Sequence, residues 1–136
     1  MRFMVIVKAN EQSEAGALPS TDAMQKMLAF NEQLVKAGVM LSGEGLHSSS
    51  KGSRLQFAGE RPTVIDGPFA ETKELVGGFW IIQVKSKDEA IEWFSRAPFE
   101  NGETLEIRQI LDLEDFGESA TCEVREQLDR IHAHPS

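Results

Sequence analysis

The sequence has little of several things, and each shortage narrows what the chain can do. It holds one cysteine, Cys122, and no tyrosine in 136 residues. One cysteine forms no internal disulfide, and with no Cys/His cluster around it, it makes no zinc site. A lone thiol fits a reducing compartment, so the cytoplasm is the expected location. The lack of tyrosine removes phenol-based acid catalysis. Lys and Arg number 14 against 22 Asp and Glu, for a formal net charge of −8. That balance disfavours phosphate backbones and anionic lipids, so neither nucleic acid nor membrane is an expected partner. Long apolar runs are missing too. The opening Met1 to Val7 is far too short for a membrane span, and it lacks the basic flank and cleavage site of a secretory signal. Gly43-Glu44-Gly45 lacks the third glycine and following helix of a dinucleotide site. No Gly-x-x-x-x-Gly-Lys phosphate loop occurs, and Ser48 to Ser50 have no nucleophile-elbow motif around them.

What is present suits one folded soluble domain. Hydrophobic residues make up 40% and charged residues 26%, ordinary values that argue against wholesale disorder. Such a length buries about 70% of the surface its unfolded chain exposes.

Residues Arg2 to Lys8 read as a strand with apolar side chains on both faces, so both faces should be covered. A polar loop over 9–20 leads to a helix from about Asp22 to Ala37. Asp22 is the expected cap with Gln25 as its reciprocal partner, and Met24, Met27, Leu28, Leu34 and Val35 form the apolar stripe. Gly38 stops the helix, and Val39 to Leu46 returns as a strand. Arg54 to Phe57 and Thr63 to Asp66 read as a hairpin. Phe79 to Val84 is the clearest strand, Ser86 to Glu89 a capping box opening a helix to about Arg96, and Thr104 to Leu111 a further strand. Glu118 to Ala133 suggests a last helix with the stripe Val124, Leu128 and Ile131.

The order β-α-β, hairpin, β-α-β, helix is that of an α+β, ferredoxin-like split βαβ domain with an inserted hairpin. Two helices cover only one sheet face. A second copy of the chain is the expected cover for the other, with the C-terminal helix as the alternative.

Asp66-Gly67-Pro68-Phe69 is the candidate functional turn. Gly67 supplies backbone freedom, and Pro68 restricts the residue before it. Asp66 is a candidate general base, or else it accepts hydrogen bonds from its own turn. Glu71, Lys73 and Glu74 follow and could hold the turn through ion pairs, while Lys73 could meet an anionic ligand instead. Arg54 and Arg108 lie on strands and are candidates to clamp a carboxylate, with a salt bridge to Glu106 or Glu44 as the plainer role. Phe69 and Trp80 would line such a cavity or pack in the core. His132 and His134 form an H-x-H pair with no third ligand, too little for a metal site. Neither metal nor cofactor is expected.

The run from Asp66 to Trp80, DGPFAETKELVGGFW, resembles the motif region of the YCII-related proteins, in their DGPF branch. Lys36 to Val39, Gly43 to His47, Ser86 to Trp93 and Glu106 to Gln109 extend the resemblance over most of residues 1–116, leaving 117–136 as a helical extension of the same domain. The resemblance implies a dimeric α/β barrel built from ferredoxin-like protomers. It also implies a pocket near the dimer interface where a histidine and an aspartate meet. Carried onto this chain, the aspartate is Asp66 and the histidine His47, an acid–base pair suited to isomerase- or lyase-like proton transfer. The plainer role for His47 is an exposed loop residue. The alternative function is a non-catalytic ligand-binding or regulatory module linked to transcription, since some relatives are associated with sigma factors.

Overall fold

The computed structural model describes residues 1–70 and 72–133, with the backbone alone at position 73. In chain order the elements are β1 (Arg2–Lys8), α1 (Glu11–Glu14), α2 (Thr21–Lys36), β2 (Met40–Gly45), β3 (Ser53–Ala58) and β4 (Arg61–Asp66). There follow β5 (Val76–Gln83), α3 (Lys87–Phe94), β6 (Leu105–Gln109) and α4 (Cys122–His132). β2, β5, β1 and β6 form one four-stranded sheet in that order, and every neighbouring pair is antiparallel. This is the ferredoxin-like arrangement, with β3 and β4 as the inserted hairpin.

β1 is apolar on both faces because it is a central strand, bonded to β5 on one side and β6 on the other. Phe3 and Val5 of β1 and Trp80 and Ile82 of β5 point to the helix side. There they pack against Phe30 and Leu34 of α2 and Ala90 and Phe94 of α3. Aromatic rings meet edge to face at the centre of this core: Phe30–Phe94 centroids lie 5.4 Å apart and Trp80–Phe94 5.1 Å. On the opposite sheet face Met4, Ile6, Phe79 and Ile81 are only half-buried.

Three expectations need correcting. The cap of α2 is Ser20, whose extended backbone lets its Oγ accept the Ala23 N–H at 3.1 Å. Asp22 already lies inside the helix, where it pairs with Lys26 one turn on, at 3.1 Å. The stripe that faces the core is Met27, Phe30 and Leu34, while Met24, Leu28 and Val35 are exposed. Packing the large Phe30 ring against Trp80 sets that rotation. At α3, Ser86 caps as expected, but Glu89 takes the N–H of Lys85 rather than that of the cap.

α4 lies within the expected span but begins at Cys122 rather than Glu118, which belongs to a separate 3-10 segment, and it has no buried residue, so it does not cover the free sheet face. The hairpin also stands apart, a two-stranded sheet whose twelve residues are all exposed. Among the described residues, no helix is long and apolar enough to cross a membrane.

Candidate functional site

The turn at 66–69 is seated on the loop that follows β2. Gly67 N–H donates to Gly52 O at 3.0 Å, and Phe69 N–H donates to Ser49 Oγ at 3.0 Å. Gly67 is glycine because of this close approach: a Cβ there would stand 1.8 Å from the carbonyl oxygen of Ser49. The Ser49 hydroxyl has one proton, which it donates to Glu14 Oε2 at 2.5 Å while its backbone N–H donates to Glu14 Oε1 at 2.9 Å. Glu14 is placed by α1, a single turn fastened by the reciprocal caps of Asn10 and Ser13. Ser49 therefore ties the N-terminal loop to the motif turn. Arg54, on β3, lays its guanidinium over the Phe69 ring, 3.9 Å from the centroid.

Between these parts lies a cavity of about 400 Å³, lined among others by Glu14, Leu46, His47, Lys51, Arg54, Phe69 and Val76. Among the described residues its only lining carboxylate is Glu14, and both of its oxygens are taken by Ser49. Among the described residues neither Lys51 nor Arg54 forms an ion pair. An acidic chain thus presents a locally cationic cleft beside an imidazole. An anion entering it would meet uncommitted donors.

Of the expected residues, His47, Arg54 and Phe69 come together in this cleft. Asp66 does not line it. Its carboxylate is exposed and accepts the Ser53 hydroxyl at 2.7 Å across the hairpin, and no hydrogen bond or ion pair joins it to His47. Arg108 sits on β6, 4.0 Å from Glu106 and well exposed. Trp80 is in the core, its Nε1–H bonded to Asn31 Oδ1 at 2.9 Å. Glu71, His134 and the side chain of Lys73 lie outside the described residues. Glu74 is exposed, and His132 ends α4.

Sequence reasoning missed Glu14, Ser49 and Lys51. Glu14 reads as one more acid in a polar loop, and its partner lies 35 residues away. Ser49 does carry a signal, a serine run beside Lys51 and Gly52, but without an elbow motif such a run speaks only against hydrolase chemistry and names no partner.

A curated relative, an uncharacterised protein of Rhizobium meliloti (strain 1021), is 34% identical over 70 residues, covering 52% of this chain. The match spans only 56% of that relative, a little over half its length. Among solved structures, a 5-chloro-2-hydroxyhydroquinone dehydrochlorinase from Burkholderia phenoliruptrix AC1100, in complex with 2,5-dihydroxybenzoquinone, is 21% identical. It aligns over 84% of this chain and 98% of its own, with a TM-score of 0.41. The family model of the YCII-related domain matches residues 1–114, so the chain belongs to the YCII-related family.

Proposed function

We propose that the protein binds a small carboxylate-bearing molecule in the cleft between the 46–52 loop and the 66–69 turn. In this reading His47 exchanges a proton with the bound ligand, in an isomerase- or lyase-type step. One observation carries it: Lys51, Arg54 and His47 line one cavity where, among the described residues, the single carboxylate is already engaged by Ser49. Arg54 offers a planar fork to a carboxylate, and the Phe69 ring under it restrains its orientation. Asp66 acts here as a positioning residue, holding β4 to β3 through Ser53 and so keeping Arg54 in place.

A second reading, a ligand-binding module with no catalysis, is favoured by the exposed Asp66 carboxylate bonded to Ser53 rather than to His47. The homodimer belongs to the same proposal. The half-buried face of Met4, Ile6, Phe79 and Ile81 would pack on a second copy. A cytoplasmic location fits the exposed free thiol of Cys122.

The test is recovery of co-purifying metabolites by mass spectrometry from wild type and from Arg54→Ala, His47→Gln and Asp66→Asn. Wild type should retain an anionic metabolite. Arg54→Ala should bind it roughly ten- to a hundredfold more weakly, the worth of a charge-assisted hydrogen-bonded pair. His47→Gln should keep the ligand and lose its conversion. Equal retention by Arg54→Ala would remove the site assignment; equal conversion, or none in wild type, would leave the binding module.

A further inference from the structure

Residues 10–19 connect β1 to α2 as a surface strap. None of their side chains is buried, only Ser13 and Glu14 are half-buried, and Leu18 is 89% exposed. Both ends are fixed: Ala9 N–H donates to Leu75 O at 2.7 Å, and Ser20 caps α2. Between those ends, among the described residues, the strap makes two hydrogen bonds to the rest of the chain. Both are accepted by Glu14, from Ser49 N–H and from Ser49 Oγ–H. No ion pair adds to them among the described residues. A segment without buried apolar contacts sits at the low end of local stability, and one side chain holds this one down.

That side chain lines the cleft itself, in company with His47, Lys51 and Arg54. It brings to the cleft the same chemical group that a carboxylate ligand would bring. The Ser49 N–H and hydroxyl hold its two oxygens as a pair of donors, a geometry that suits any carboxylate. An incoming carboxylate can therefore be exchanged for that of Glu14 with no loss of hydrogen bonds at Ser49. The Ser49 Oγ would still accept the Phe69 N–H, so the motif turn keeps its seat. Leu46, Phe69, Leu75 and Val76 supply apolar wall for the hydrocarbon part of the incoming molecule.

We infer that Glu14 is a built-in competitor for the anion site: the ligand carboxylate displaces it from Ser49, and the 10–19 strap is released as the ligand binds. This rests on the cleft being the carboxylate site proposed above. A closed strap and a bound ligand exclude each other, so the apparent affinity is reduced by the fraction of molecules in which the strap is open. By the same linkage the bound ligand holds the strap open.

Benzoate and its uncharged counterpart benzamide are the probes, titrated into 15N-labelled protein. The Ser49 amide reports on the cleft, and heteronuclear NOEs of residues 11–17 report the order of the strap. Benzoate should shift Ser49 saturably and lower the strap NOEs to those of unliganded Glu14→Ala. Benzamide should do neither. Glu14→Ala should bind benzoate about tenfold more tightly than wild type. Glu11→Ala removes a carboxylate from the same helical turn without touching Ser49, and should bind as wild type does. Arg54→Ala should weaken benzoate whether or not Glu14 is present. A strap that stays ordered at saturating benzoate, or a Glu14→Ala protein that binds no more tightly than Glu11→Ala, overturns the displacement and leaves the anion site standing. Absence of saturable binding in both wild type and Glu14→Ala overturns the two together.

Discussion

Ser49 joins three segments that are far apart in the chain, and its neighbours suggest direct tests. Gly67→Ala places a methyl group inside the space held by the Ser49 carbonyl. Overpacking of that kind should cost about 1–3 kcal/mol, read as a lower urea midpoint; an unchanged midpoint would mean the 46–52 loop yields freely. Ser49→Ala removes the hydroxyl shared by Glu14 and Phe69 and should cost about 1–3 kcal/mol. Ser53→Ala breaks only the exposed bond to Asp66 and should cost less than about 1 kcal/mol. The reverse ranking would show that Asp66, not Ser49, holds the turn. Asp66 is conspicuous in the sequence because Gly-Pro follows it. The group that fastens the turn is a serine in a bland run, legible only once the chain is folded.

At the scale of elements, hydrophobic pattern succeeded where burial on both sides is obligatory. β1 could be read to its ends because a strand apolar on both faces must be central. α2 was read to within a residue at each end, but its rotation was not. Met24 and Leu28 sit at helical spacing as persuasively as Met27 and Phe30, and only the sheet beneath decides between them. α4 shows the same limit, because an apolar stripe at the right period states nothing about what it meets. Removing residues 121–136 should therefore change the stability of the remaining domain by no more than about 0.5 kcal/mol, measured by chemical denaturation. A larger loss would show that α4 packs on something. The hairpin has no buried residue, with Phe57 80% exposed. Its amides should exchange with solvent well before those of β1 and β5, and protection equal to that of the core would contradict its separateness.

For the whole molecule, the apolar centre of the free sheet face is the feature to test. Wild type should sediment as a dimer at micromolar concentration, and Ile81→Glu should sediment as a folded monomer, since a carboxylate there would be desolvated by the partner. A monomeric wild type removes the homodimer. Fold and strand order were legible because pattern and order suffice for a split βαβ domain. Which loop meets which turn was not, because those contacts are polar, exposed and distant in sequence.

Strand order also sets the timetable of assembly. Phe3 of β1 pairs with Ile82 on one side and Gln109 on the other. A nascent chain leaving the ribosome thus presents its most apolar strand first and supplies both hydrogen-bonding neighbours last. Loops of that span are slow to close, and an unpaired apolar strand invites association meanwhile. The first half of this protein waits, sticky and unpaired, for the second, so synthesis halted before β5 should yield a product held by chaperones rather than a half-domain.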